Sequence, residues 1–387
     1  MGVALIVGTL IGAFAPDKFV ENITPFGDIF VNLMFCLVIP LVFFTITSSI
    51  AKMSKKKKLS KLFSKTFLVF VITSAISALL MLVTVLIFKP ATVSIIASGE
   101  EQEKLNVMNQ IANALTVNNF SDLLSRSHML ALIVFSIIFG ISLRYVDKEG
   151  RITKGLETLS QTMLRFVKIV MYYAPIGVCA YFASLVKSYG NEIISSYART
   201  LVIYVVICLV YFLVFYTLYA YIAKGKEGVK TFYKHILPSF MTSLATQSSL
   251  ATLPTNLETA KEMKINEDVA NLSLPLGATV HMEGSAMGSI LKIFFLFSVF
   301  SMPINGIGTC LVAIVIAIAS GVVMSGIPGG GLIGEMLIVS LYGFPVSAFT
   351  MIATIGWLID APATMINACG DLPSAMLIEK PFLKKKE

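Results

Sequence analysis

The sequence predicts an all-α integral membrane protein with eight transmembrane helices and two re-entrant helical hairpins. Three observations carry this prediction. Of 387 residues, 56% are hydrophobic and 13% charged, whereas soluble proteins carry about a quarter charged residues. Apolar runs long enough to cross a bilayer, about 20 residues, recur along the chain, while a β-barrel would show short alternating segments. Two further apolar stretches are interrupted by backbone that cannot cross as regular helix, and such backbone is tolerated at membrane depth only against protein or a watery cavity.

The spans are expected at about 1–15, 24–52, 61–88, 129–146, 155–187, 196–223, 264–300 and 347–377. The first lacks the basic leader and small-residue cleavage site of a secretory signal and reads as a retained helix. Lysines cluster at helix ends, at Lys55 to Lys58, Lys224 and Lys226, and Lys384 to Lys386. Basic loops belong in the cytoplasm, which puts both termini inside, Lys148, Arg151 and Lys154 inside, and the acidic Glu100, Glu101 and Glu103 outside. The net charge of +8 therefore reports topology rather than nucleic acid, and the lysine surplus suits anionic inner-leaflet lipid. Cys36, Cys179, Cys208, Cys310 and Cys369 lie in apolar stretches without a CxxC pair, which suits packing rather than disulfides or zinc.

The first hairpin is expected in LPSFMTSLATQSSLATLP, Leu237 to Pro254, bounded by prolines and rich in Ser and Thr. The second lies in Ile307 to Tyr342, split by SGIPGGG at Ser325 to Gly331, through which no helix continues. Two broken apolar segments point to the central site of a transporter. The seventh span carries GATVHMEG, Gly277 to Gly284. His281 and Glu283 would point about 200° apart on a regular helix and can meet only if the helix unwinds there. In the eighth span, WLIDAPATMINACGD places Asp360, Thr364, Asn367 and Asp371 on one helical face. Ionisable groups at membrane depth mark solute or ion sites; the blander alternative is that they only bond neighbouring helices.

Together TQSSLATLP, PLGAT-x-x-M-x-G, SGIPGGG and D-x-x-x-T-M-x-N-x-x-GD, in this order and over nearly the whole chain, resemble the glutamate and neutral amino acid transporter family, the dicarboxylate/amino acid:cation symporters. The resemblance implies an inverted-repeat fold, for which the general account of such transporters already uses an archaeal member, and an elevator mechanism in a homotrimer in the cell membrane. It implies a scaffold in residues 1–60 and 129–223, the fifth span partly so, and an extracellular loop at 89–128. The third helix (61–88) and residues 231–377 would move as the transport core, followed by a basic cytoplasmic tail at 378–387.

By resemblance Asp360 binds the substrate amino group, Asn367 its carboxylate, and Ser248 and Ser249 contact that carboxylate from the first hairpin. Gln247, Ala363, Thr364 and Gly329 complete the substrate set. Gly277, Asn367 and Asp371 match sodium ligands, and Glu283, Thr73 and Ser74 a second cation site. Acidic-substrate members carry an arginine where this chain has Ala363, and an arginine usual in the first hairpin is Gln247 here. A substrate acid without that partner would be buried unpaired, so a small neutral amino acid is expected, with an acidic amino acid or dicarboxylate as the alternative.

The cation sites depart as well. His281 replaces an asparagine, Glu283 an aspartate and Phe70 a tyrosine. Sodium prefers hard oxygens and histidine titrates near neutrality, so the coupling ion is expected to be sodium or a proton, with no other cofactor. Two rival functions stand beside the symporter. A channel also uses polar helices and hairpins. An intramembrane acid pair fails, because Asp360 and Asp371 are separated by about 16 Å along a helix and no HExxH or nucleophile elbow occurs.

Overall fold

The computed structural model describes residues 2–52, 57–91, 116–125, 128–304, 306–324 and 331–383. Among the described residues the regular structure is entirely helical. The elements are α1 (Gly2–Phe14), α2 (Asp17–Ala51), α3 (Lys57–Ile87), a 3₁₀ turn (Phe120–Leu124), α4 (Met129–Val146) and α5 (Arg151–Val210). A π-helical turn (Tyr211–Phe215) leads into α6 (Tyr216–His235). There follow α7 (Leu237–Thr246), α8 (Ser249–Glu262), α9 (Glu267–Val280), α10 (Glu283–Val299), α11 (Gly306–Met324), α12 (Gly331–Tyr342) and α13 (Val346–Leu383).

Four helical stretches among the described residues are long and apolar enough to cross a membrane: Leu62–Ile87, Ile193–His235, Glu267–Val299 and Ser347–Lys380. A fifth is the pair Arg151–Val170 and Tyr172–Ser188, bent by 54°. The shorter apolar helices Val3–Phe14, Ala131–Val146 and Gly306–Gly321 add to them. The fifth and sixth predicted spans are joined in α5, whose one non-helical residue is Gly190, at φ 63° and ψ −154°. The left-handed φ is open to glycine at no steric cost, which lets the chain turn without a loop.

The helices form two packed groups. α1, α2 and α4 lie against one another's neighbours through α2 and the long α5. The other group is built around α10, which touches α3, α11 and α13. Its residues are buried from Glu283 to Val299 except Ser285 and Ser298, as expected of a helix apolar on all sides. α3 shows how the outer helices are made. Leu68, Ile72, Leu79, Val83 and Leu86 are exposed, while Thr73, Ser77 and Met81 are buried. The exposed residues share one apolar face at helical spacing, the surface a lipid-facing helix needs.

α7 and α8 pack on each other across a break at Gln247 and Ser248, and α11, which ends at Met324, packs on α12, which starts at Gly331. Residues 325–330, where the turn of the second hairpin is expected, lie outside the described residues, as do most of the 89–128 loop and the end of the basic tail. α13 continues through Pro362 with no non-helical residue. Its far end is tied down: Lys65 donates to the Ile378 carbonyl, Glu379 accepts from the Asn266 N–H at 3.0 Å and pairs with Lys224 at 2.8 Å, and Lys380 donates to the Ile222 carbonyl at 2.8 Å. In the loop between α4 and α5, the N–H and hydroxyl of Thr153 both donate to Asp147 at 2.8 Å, and the backbone donor holds this carboxyl below the usual aspartate range.

Candidate functional site

The seventh predicted span unwinds at the histidine. α9 ends at Val280, His281 is extended with φ −96° and ψ 92°, Met282 is likewise non-helical, and α10 starts at Glu283. This break turns His281 and Glu283 toward each other, with Nε2 3.6 Å from Glu283 Oε1. Nδ1 meets Asp371 Oδ1 at 2.9 Å and Nε2 meets the Thr73 hydroxyl at 2.8 Å. The imidazole also stacks on Phe70, with ring centroids 4.1 Å apart. All of these side chains are buried. Glu283 is held by two hydroxyls, Tyr211 donating to Oε1 and Tyr216 to Oε2, each at 2.8 Å.

Gly277 belongs to this cluster by its lack of a side chain, since a β-carbon there would strike the Asp371 carboxylate. Among the described residues, Asp371 Oδ2 is buried with no hydrogen-bond partner. Ser74 is near but not in the cluster: its carbonyl accepts from Ser77, and Ser74 lines a small apolar cavity with Phe67, Phe70, Val71 and Met282. Ser77 instead bonds the Glu283 carbonyl at 3.0 Å.

A second, larger cavity is lined by residues of α8, α10, α12 and α13. It holds about 600 Å³ of unfilled space, counting its open mouth. Gln247, Ser249, Asp360, Ala363, Thr364 and Asn367 all line it. The stripe read from the eighth span is therefore one wall of a cavity, with Asp371 beyond it in the histidine cluster. Gln247 sits in the left-handed region at φ 50°, a sparsely populated conformation for a non-glycine residue, and it ends α7. Ser248 is the exception among the substrate candidates: its Oγ accepts from the Ala251 N–H at 3.2 Å and caps α8, and it does not line the cavity. Gly329 lies outside the described residues. Asn367 spends both ends of its amide inside the protein, its Oδ1 accepting from the N–H groups of Gly284 and Ser285 at 2.8 and 3.2 Å and its Nδ2 donating to Ser285 Oγ at 3.0 Å. It thus holds the start of α10 against α13.

Sequence reasoning missed Lys292 and Glu335. They line the same cavity, and Lys292 Nζ donates to Glu335 Oε1 at 2.6 Å. Both are ionisable residues in apolar runs, the signal that singled out Asp360, and would have been found by applying it to every helix.

The model of the sodium:dicarboxylate symporter family matches residues 1–381. The chain belongs to the sodium:dicarboxylate symporter family. As a member of that family it is a cation-coupled secondary transporter and not an enzyme, embedded in a membrane by multiple helices. It is 25% identical to the proton/sodium-glutamate symport protein of Geobacillus stearothermophilus, over 98% of this chain and 92% of the relative. It is 26% identical to the proton/glutamate-aspartate symporter of Bacillus subtilis, over 99% of this chain and 95% of the relative. Excitatory amino acid transporter 1 of Ambystoma tigrinum is 29% identical over 65% of this chain and 46% of its own length. The chain carries a histidine-centred cluster and a buried lysine beside its cavity.

Proposed function

We propose that this symporter moves an acidic amino acid into the cell, together with a cation, across the plasma membrane. The observation that carries the reading is Asp360 lining a cavity to which Ser249 of α8 and Lys292 of α10 also contribute. An α-ammonium group fits a half-buried carboxylate at the cavity wall, and Ser249, in the first turn of a capped helix, offers a hydroxyl and the positive end of the helix dipole to an α-carboxylate. The absence of an arginine at Ala363 suggested a neutral substrate. Two of the relatives compared above are named for glutamate or for glutamate and aspartate, which does not support that suggestion, and Lys292 adds a cation to the cavity wall.

The coupling cation acts at the His281 cluster in this reading. The unpartnered Asp371 Oδ2 favours sodium, while an imidazole with both nitrogens against oxygen acceptors favours a proton. Gly277 and Asp371 are the sodium contacts here, with Asn367 freed only if its bonds to α10 part. The remaining features follow from the family resemblance. α1, α2, α4 and α5 act as the scaffold of a homotrimer, α3 and the helices from α7 to α13 slide as the transport domain with eight spans and two re-entrant hairpins in all, both termini are cytoplasmic, and the chain's partners are lipid and small solutes rather than nucleic acid.

Uptake of radiolabelled aspartate, glutamate, serine and alanine into proteoliposomes, with sodium and proton gradients imposed separately, tests the proposal. Saturable, gradient-driven uptake of an acidic amino acid is expected, and the gradient that drives it names the ion. Uptake restricted to neutral amino acids would overturn the substrate class, and non-saturable flux would return the channel.

A further inference from the structure

Lys292 and Glu335 stand on different elements, α10 and the second arm of the second hairpin, and meet only at the cavity. They are 3% and 1% exposed. Such a pair, placed at a wall that needs no charge, is costly compared with apolar packing. Room for it is made by Gly356, one helical turn before Asp360, where a β-carbon would collide with Glu335 Oε1 and lie 3.2 Å from Lys292 Nζ. Among the described residues only Oε1 of Glu335 is bonded; Oε2 is buried with no partner, and so is the indole N–H of Trp357 in the same wall. A buried carboxylate oxygen without a donor is rare unless a ligand or proton supplies one.

Resting on the acidic-substrate reading above, we propose that Lys292 is the specificity-determining residue for the substrate's distal carboxylate, and that Glu335 takes up a proton when that carboxylate binds. With Asp360 and Ser249 holding the two α-groups, the side chain is directed at the remaining charged wall of the cavity, where Lys292 is the one cation among the described lining residues. An arriving carboxylate makes two acids around one ammonium. Two like charges at such range do not both stay ionised, so a proton from solution binds Glu335, whose O–H then donates to the substrate carboxylate while Lys292 Nζ donates to it from the other side. No bond breaks other than the Lys292–Glu335 hydrogen bond, and one proton enters for each acidic substrate. A carboxamide or small neutral side chain leaves the pair intact and takes up no proton at this wall.

The charged groups that face Glu335 are Lys292 from α10 and Asp360 from α13. α11 carries no charged residue, the charged residues within α2 are exposed, and α4 has Arg144 in its last turn. Glu283 and Asp371 lie about 13 and 16 Å further along their helices, outside this wall.

The test uses the full chain in proteoliposomes, with aspartate as the transported probe and asparagine, its neutral isostere, as competitor, both across a pH series. Lys292→Met is expected to raise the KM for aspartate at least about ten-fold, as loss of a charge-assisted contact does, while asparagine competition holds or strengthens. The double variant Lys292→Met/Glu335→Gln leaves no buried charge unpaired and is expected to show the same loss, which separates recognition from misfolding. In wild type, acidic pH favours aspartate over asparagine several-fold; in Glu335→Gln that ratio is expected to become flat with pH. An unchanged aspartate KM in both lysine variants would overturn the proposal alone, as would equal loss of both probes in variants that melt like wild type, which makes the pair structural. If wild type takes up no acidic amino acid, the acidic-substrate reading fails and takes this assignment with it.

Discussion

The imidazole of His281 lies flat against the ring of Phe70, centroids 4.1 Å apart at an interplanar angle of 14°. Phe70 offers no hydroxyl, so every polar contact of the imidazole goes to Asp371, Thr73 or Glu283. The ring is thus fixed by stacking and held between two acids.

Replacing His281 by alanine leaves Asp371 and Glu283 buried without their shared partner. Removal of one member of a buried charged cluster costs about 3–5 kcal/mol. A clear fall in the thermal unfolding midpoint of the solubilised protein is expected, together with loss of gradient-driven uptake. An unchanged midpoint would mean that the acids find other partners.

Asp360→Ala is expected to abolish amino acid uptake and spare the fold. Asp360 is half-buried at the cavity wall, and its removal leaves space rather than an orphaned partner. Wild-type uptake by this variant would remove Asp360 from the site.

Gly356→Ala puts a methyl group where the Glu335 carboxylate lies. Separation of Glu335 from Lys292 is expected, with acidic uptake reduced ten-fold or more, about 1.4 kcal/mol or greater. Steady-state uptake kinetics beside a melting curve measure both effects, and normal kinetics would show that the hairpin moves aside without consequence.

Ala363→Arg restores a guanidinium to the same cavity wall. In a Lys292→Met background it is expected to recover part of the acidic uptake, since a bidentate arginine can serve a carboxylate that lysine no longer reaches. The check is the aspartate KM of the double variant against that of Lys292→Met.

The fold was legible where chemistry interrupts apolar helix. Prolines and serines marked α7 and α8, and the glycines around His281 marked the unwinding between α9 and α10. The stripe through Asp360, Thr364 and Asn367 was legible because helical periodicity alone puts them on one face. What periodicity cannot give is which residues of separate helices meet. The roles of Asn367 and Ser248 as internal braces depend on neighbours distant in sequence, and Lys292 acquires meaning only beside Glu335. The joining of two spans in α5 was hidden because its bend is a single glycine rather than a polar loop.

The π-helical turn at Tyr211–Phe215 carries a consequence for ancestry and for engineering. Tyr211 and Tyr216 are five residues apart, which on an α-helix would set them about 140° from each other, yet both hydroxyls reach Glu283. A π turn bonds each residue to the fifth before it and brings such positions into line. It amounts to one inserted residue in an otherwise α-helical ladder. Deleting a single residue between the two tyrosines would restore the ladder with the pair four apart, about 40° from each other on an α-helix, so both hydroxyls would still face the carboxylate; loss of one residue is therefore tolerated at this turn, whereas a deletion elsewhere in the ladder would turn one flank by about 100° against the other.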